Sequence, residues 1–245
     1  MKKDGSEVII NFLNKKNMKI IQRNDYLNFS LDSVLVANFM RVNRKIKKVI
    51  DLGTGNGVIP MILGQNKYLD ITGIEIQKTS ANLANRNIEL NNLEKNIKII
   101  TNDIKNFKSL FKAQSYDSVI CNPPFFKLSE NKNQLNNLEQ LSIARHEISI
   151  TLEDILEATS YLLRSNGYFT IVHRTERVLE IFDLMRKYNI QPKKVQFCHS
   201  KLKKPSKTVL IEGIKFGKNN LEVLPPIYTH NENGEYSNLV LNMFN

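Results

Sequence analysis

The sequence predicts an α/β fold with a mostly parallel sheet, and three observations predict it. Residues 47–122 alternate short apolar runs with stretches of helical period, the pattern of βαβ units with right-handed crossovers. A glycine-rich turn joins the first of those runs to the helix that follows. No repeat or Gly/Ser linker interrupts the 245 residues, so a single domain over 1–245 is expected, with 1–45 an extension carrying a helix and 46–245 the core.

The elements follow in order. Residues 32–40 form a preliminary helix, since Leu31, Leu35 and Phe39 lie four apart on one face. Residues 48–52 are a strand, a helix starts at Val58, and 71–76 are a second strand. The pattern repeats with a helix over 77–92, a strand over 97–101, a short helix over 104–111 and a strand over 118–121. Residues 126–149 are rich in Asn, Lys and Gln and weakly periodic, which suggests a functional loop or lid. A helix over 152–163 ended by Asn166 and Gly167, a strand over 168–172 and a helix over 175–188 capped by Thr175 come next. Strands 194–198 and 208–215 have only the basic segment 200–206 between them, which predicts an antiparallel pair closing one sheet edge.

Composition narrows the function classes. Hydrophobic residues at 41% and charged residues at 24% match globular chains, which excludes a disordered polymer and a membrane bundle. No apolar run approaches the ~20 residues of a membrane span, and the N-terminus has an early acid and no long apolar segment, so a cytoplasmic chain without an export signal is expected. Cys121 and Cys198 are too few for a disulfide framework or a zinc cluster, so no metal is expected. The balance of 35 Lys and Arg against 24 Asp and Glu, +11, favours a polyanionic partner. The competing reading is compositional, because the chain abounds in Lys, Asn and Ile.

The chemistry concentrates at strand ends. Asp51-Leu52-Gly53-Thr54-Gly55-Asn56-Gly57 places alternate glycines between strand and helix, where side chains would block a ligand; the alternative is an ordinary βα turn. The spacing is not the G-x-G-x-x-G of dinucleotide sites, and a carboxylate at Asp51 suits an ammonium better than a phosphate. Glu75, about 20 residues on, is placed to accept from both hydroxyls of a ribose, or is an exposed charge after a strand. Asp103 is placed to accept from an adenine amino group, to cap a helix, or both. Three acids at successive strand ends describe a nucleoside with a cationic tail, which is S-adenosyl-L-methionine.

The fourth strand ends in Asn122-Pro123-Pro124-Phe125. The Asn122 side-chain oxygen and the Pro123 carbonyl each accept one N–H of a planar amino group, while Phe125 stacks on the ring that bears it. Such acceptors hold the nitrogen lone pair toward the methyl, and no general base is needed before attack. Cys121 beside it is either a core residue or an exposed thiolate nucleophile. Asp32 and Ser33 line the cofactor mouth or cap the preliminary helix. Arg145, His146 and Glu147 anchor the long loop or touch phosphate, and Lys193, Lys194, Lys201, Lys203, Lys204 and Lys207 are either a nucleic-acid contact or a solvated face.

These residues together resemble the class I S-adenosyl-L-methionine-dependent methyltransferases, in the branch that methylates amino groups. The wider pattern is similar, over nearly the whole chain, to the tRNA (adenine-N6) methyltransferases that modify position 37 of a valine tRNA. It comprises Phe29-Ser30-Leu31-Asp32-Ser33-Val34-Leu35-Val36-Ala37, Ala144-Arg145-His146-Glu147, Val172-His173-Arg174 and the C-terminal strand pair. The resemblance implies a Rossmann-like, seven-stranded, mostly parallel sheet with helices on both faces. It implies cofactor contacts from Asp51, Gly53, Gly55, Gly57, Glu75, Ile76, Asp103, Ile104 and Asn122, and a target-amine site at Asn122, Pro123, Pro124 and Phe125. Relatives sharing the Asn-Pro-Pro signature methylate rRNA guanine, DNA adenine or protein glutamine, so the tRNA substrate rests on the full-length match. A non-catalytic nucleotide- or RNA-binding module is the reading from another class. On the tRNA reading, the positive charge is expected on the N-terminal segment and the edge that runs from Lys193 to Lys207.

Overall fold

The computed structural model describes residues 7–13, 17–23, 30–124 and 150–244. The expected loop over 126–149, and with it Phe125, Arg145, His146 and Glu147, lies outside the described residues.

An antiparallel hairpin of β1 (Glu7–Leu13) and β2 (Met18–Arg23) precedes α1 (Leu31–Phe39). The alternating core then runs β3 (Lys48–Leu52), α2 (Val58–Leu63), β4 (Asp70–Glu75), α3 (Lys78–Leu90), β5 (Ile97–Thr101), α4 (Phe107–Leu110) and β6 (Tyr116–Cys121). It continues with α5 (Leu152–Leu162), β7 (Leu163–Arg174), α6 (Val178–Lys187), β8 (Ile190–His199) and β9 (Ser206–Lys215). The two-residue strands β10 (Glu222–Val223) and β11 (Ile227–Tyr228) and then α7 (Asn238–Met243) follow. The sheet order is β10-β8-β9-β7-β6-β3-β4-β5, with β11 also on β8. Strands β3 to β7 are parallel, and β9 runs antiparallel to β7 and to β8. The seven expected strands are therefore β3 to β9, and the α/β, Rossmann-like architecture holds. The β8–β9 pair forms as expected, but β10 and β11 lie beyond it and cover the edge. Among the described residues, no helix is long and apolar enough to cross a membrane.

Period-two alternation splits the core between the sheet's faces. Val49, Ile71, Ile120, Val172 and Leu210 pack with α1, α2 and α3, whereas Ile50, Ile74, Val119, Ile171 and Val209 pack with α4, α5 and α6. Both sets are buried, which is why these strands read as continuous apolar runs.

Two expected boundaries are corrected. Asn166 and Gly167 do not end α5. The helix stops at Leu162 and β7 begins at once, and the pairs Tyr116–Leu163 and Ser118–Tyr168 leave the intervening residues as a bulge with Asn166 at φ +61°. Nor does Thr175 cap a helix: a single 3₁₀ turn, Thr175–Arg177, precedes α6, and the Thr175 hydroxyl lies 3.0 Å from Ser206 Oγ, tying the end of β7 to the start of β9.

Candidate functional site

Parallel strands end together, so one rim of the sheet collects the residues that follow β3, β4, β5, β6 and β7. Asp51, Glu75 and Asn122 share strand parity with Val49, Ile71 and Ile120, which turns all three toward the α1–α3 face. Cys121 has the opposite parity. Its thiol is buried, donates to the Leu52 carbonyl at 3.2 Å and is pushed well above its ordinary value by burial, so it is a core residue and not a nucleophile.

The glycine turn is held from both sides. Gly53 N and Thr54 N donate to the Ile74 carbonyl at 2.9 and 3.0 Å, and Gly57 N donates to the Thr54 carbonyl at 3.0 Å. Gly53, Gly55 and Gly57 take φ of +77°, +56° and +87°, the left-handed region that side chains resist. Among the described residues a Cβ at Gly53 or Gly55 would meet nothing within 4 Å, the room a ligand needs, whereas at Gly57 it would meet Ala84 Cβ at 3.2 Å. The turn is therefore more than a connection. Asn87 of α3 clamps it further: its amide donates to the Asn56 carbonyl at 3.0 Å and pairs with both backbone groups of Ile21 in β2. Sequence reasoning missed Asn87, which reads locally as one more polar residue on a polar helix.

Asp51 is fully buried, and among the described residues neither carboxylate oxygen has a partner at hydrogen-bonding geometry. Burial pushes its pKa up to about 7; the neighbouring Thr54 hydroxyl opposes the rise and the Glu75 charge adds to it. An orphaned buried carboxylate beside open space is a place for a cation. Glu75 is also buried, but its carboxylate accepts from Gly55 N at 2.8 Å and Gln77 N at 2.9 Å; burial raises its pKa and these bonds pull it back. Each oxygen keeps a second lone pair for a hydroxyl donor. Ile76 follows, 37% exposed, as an apolar surface at the rim. Asp103 caps the 3₁₀ turn, accepting from Lys105 N at 2.9 Å, so the capping role holds, and Ile104 is buried in the opposite core. Asp51, the open turn and Glu75 fit S-adenosyl-L-methionine: a carboxylate for the ammonium, room for the tail and acceptors for the ribose.

Asn122 stands across from the turn, half-buried, at the end of β6. Its Nδ2 donates to the Ser33 hydroxyl at 2.9 Å. Pro123 is buried and Pro124 exposed. Ser33 does not cap α1; Ser30 stands at the N-cap, without a side-chain bond. Nor does Asp32, whose carboxylate lies 3.5 Å from Thr208 Oγ1 on β9; burial raises its pKa, against the Arg174 charge and that hydroxyl.

The lysines separate. Because β8 rises to the rim and β9 descends from it, the turn between them stands at the site end, carrying Lys201, Lys203 and Lys204, with Lys207 just inside β9. Lys203, Lys204 and Lys207 are exposed, while Lys201 donates to the Glu232 carbonyl at 3.1 Å. Lys193 and Lys194 do not join them: Lys194 pairs with Glu212, five residues below His199, and Lys193 donates to the Lys218 carbonyl. At about 3.3 Å per residue they sit roughly 16 Å from the rim.

A tRNA1(Val) (adenine(37)-N6)-methyltransferase of Bacteroides fragilis is 26% identical over 210 residues, 85% of this chain and 86% of its own. One from Shewanella halifaxensis is 26% identical over 173 residues, 68% of this chain and 67% of its own. A crystal structure described as a predicted O-methyltransferase from Agrobacterium tumefaciens superposes with a TM-score of 0.68 at 19% identity, covering 87% of this chain and 95% of that one. A SAM-dependent methyltransferase from Aquifex aeolicus does so with a TM-score of 0.54 at 16% identity, covering 75% and 89%. Both share the fold. The methyltransferase small domain family matches residues 30–197, more than half of the chain, and the protein belongs to that family.

Proposed function

We propose that this methyltransferase acts on the N6 amino group of an adenine in tRNA, adenine 37 beside the anticodon of a valine tRNA, by direct in-line methyl transfer within one catalytic domain spanning the chain. The methyl donor is S-adenosyl-L-methionine, which supplies an electrophilic methyl when bound. The observation that carries the reading is the position of Asn122: at the end of β6, beside the glycine turn, with Oδ1 not engaged in its contact to Ser33. An acceptor oxygen there suits an amine N–H and has no use in hydride transfer. The names of the Bacteroides and Shewanella relatives supply the base, the atom and the tRNA.

In this reading Asp51 receives the cofactor ammonium, Glu75 the ribose hydroxyls and Asp103 the adenine edge; Gly53 and Gly55 leave room for the tail, Gly57 lets the turn close against Ala84, and Ile76 and the backbone of Ile104 flank the base. Asn122 Oδ1 and the Pro123 carbonyl hold the target amine, Pro124 stiffens the turn and Phe125 stacks on the base. A loop nucleotide is cheaper to unstack than one in a duplex, which suits the anticodon loop. Lys201, Lys203, Lys204 and Lys207 face its phosphates from the site end; Arg145 and His146, outside the described residues, are proposed phosphate contacts by the sequence resemblance alone. The test is incubation with labelled cofactor and total tRNA lacking the modification, followed by nucleoside mass spectrometry. N6-methyladenosine at position 37 of valine tRNA is the expected product. Label in rRNA, in protein glutamine, in another nucleoside or nowhere would refute the assignment.

A further inference from the structure

The side-chain amide of an asparagine has two ends of nearly the same shape and opposite chemistry. Turned one way, Asn122 offers an acceptor to an incoming amine; turned by 180°, it offers N–H groups to N–H groups. Nothing within the Asn-Pro-Pro turn chooses between them. Pro123 confines the Asn122 backbone to the extended region and leaves the side-chain torsions unrestrained. A hydroxyl can bond either end of an amide, so the amine N–H groups themselves select Oδ1; what α1 adds is a hold on those torsions, its Ser33 hydroxyl lying 2.9 Å from Asn122 Nδ2.

Ser33 is itself a rigid anchor. Its backbone N–H donates to the Ser30 carbonyl at 3.1 Å in the first turn of α1, and the next four residues, Val34, Leu35, Val36 and Ala37, are buried against the sheet. Asp32 meets Thr208 on the neighbouring strand, which holds the start of the helix against the rim. The hydroxyl therefore has a set position relative to β6.

We infer that Ser33 is a positioning residue for methyl transfer: its hydroxyl holds the side-chain torsions of Asn122 through Nδ2, so that Oδ1 stands ready for the acceptor amine. This rests on the role given to Asn122 above. It assigns α1, outside the alternating core, a share in the reaction. It also makes a distinctive statement about coupling, because the hydroxyl acts only through the Asn122 side chain and has nothing to hold once that side chain is removed.

The experiment is a double-mutant cycle with a substrate-free arm. Ser33→Ala should lower single-turnover kcat about fivefold to tenfold, the factor of one lost hydrogen bond, with cofactor affinity and KM for tRNA within about twofold of wild type. Ser33→Thr, which keeps the hydroxyl, should restore kcat. In the Asn122→Ala background, where there is no side chain to hold, Ser33→Ala should change the residual kcat by less than about twofold. Side-chain ¹⁵N relaxation should show the Asn122 amide ordered in the wild type and in Ser33→Thr, and mobile in Ser33→Ala. An equal Ser33→Ala effect in both backgrounds, or an Asn122 amide as ordered without the hydroxyl as with it, overturns the inference. Failure of the wild type to methylate tRNA would count against the functional reading alone, since the relaxation arm still decides the role of Ser33.

Discussion

Asp51→Asn should raise the stability of the ligand-free protein at neutral pH while removing its affinity for the cofactor. The wild-type carboxyl lies fully buried, with no hydrogen-bond partner among the described residues, and burial raises its pKa from the ordinary 3.8 to about 7. A carboxyl that holds its proton more tightly folded than unfolded favours the folded state below pH 4 and works against it as pH climbs toward 7, because the unfolded chain ionises first. The span from 3.8 to about 7, at about 1.4 kcal/mol for each tenfold in proton affinity, amounts to roughly 4 kcal/mol of stability that disappears across that window. Asparagine has no proton to lose. The stability difference between variant and wild type should therefore grow by up to about 4 kcal/mol between pH 4 and pH 8, whatever constant the buried amide adds. Urea unfolding without cofactor at one-unit pH steps measures it. Titration with S-adenosylhomocysteine should show wild-type affinity rising with pH up to about 7, as the ammonium meets an ionised Asp51, and no such rise in the variant. A stability difference that stays flat to within about 1 kcal/mol over the same range would refute the reasoning.

Three further outcomes follow from the geometry. Asn122→Ala should cut single-turnover methylation at least about 100-fold, the scale of a removed transition-state hydrogen bond, while S-adenosylhomocysteine binding by calorimetry stays within about threefold. Gly53→Ala and Gly57→Ala both force a side chain into a left-handed conformation, at about 1–2 kcal/mol in urea unfolding. Only Gly57→Ala adds the 3.2 Å approach to Ala84, whereas Gly53→Ala fills the open space and should lower cofactor affinity more than its stability cost explains. Replacing Lys203, Lys204 and Lys207 by Ala should flatten the dependence of log kcat/KM on log salt by about 0.7 for each phosphate that is no longer neutralised. Lys193→Ala and Lys194→Ala, far below the rim, should leave that slope unchanged.

Legibility tracks how local the determining interactions are. The strand over 97–101 is readable to the residue, because its apolar residues and flanking polar positions lie within it. Asp51, Glu75 and Asn122 are readable for the same reason, each being a residue type at the end of an apolar run. The hairpin of β1 and β2 escapes a local reading although Ile9 and Ile10 pair with Ile21 and Ile20, because its docking depends on Asn87 of α3 and Asn91 at that helix's C-cap. The bulge at Asn166 and Gly167 reads as a helix terminus, since the same two residue types serve a C-cap and a bulge equally well and only pairing with β6 decides.

What binds these cases together is the polarity of the sheet. Five parallel strands deliver their C-terminal residues to one rim, so any polar residue placed there by sequence joins the site with no further information. An antiparallel pair obeys a different rule: its turn reaches the rim while its outer ends point away. The expected pairing of 194–198 with 208–215 therefore already implies that Lys201, Lys203, Lys204 and Lys207 stand with Asn122 and that Lys193 and Lys194 do not. Ser33 is the opposite case. It meets Asn122 across 89 residues of sequence, and no count along either segment brings the two together. Residues delivered by strand direction are legible in advance; residues delivered by helix packing are not, and the orientation of the amide that meets the substrate depends on the second kind.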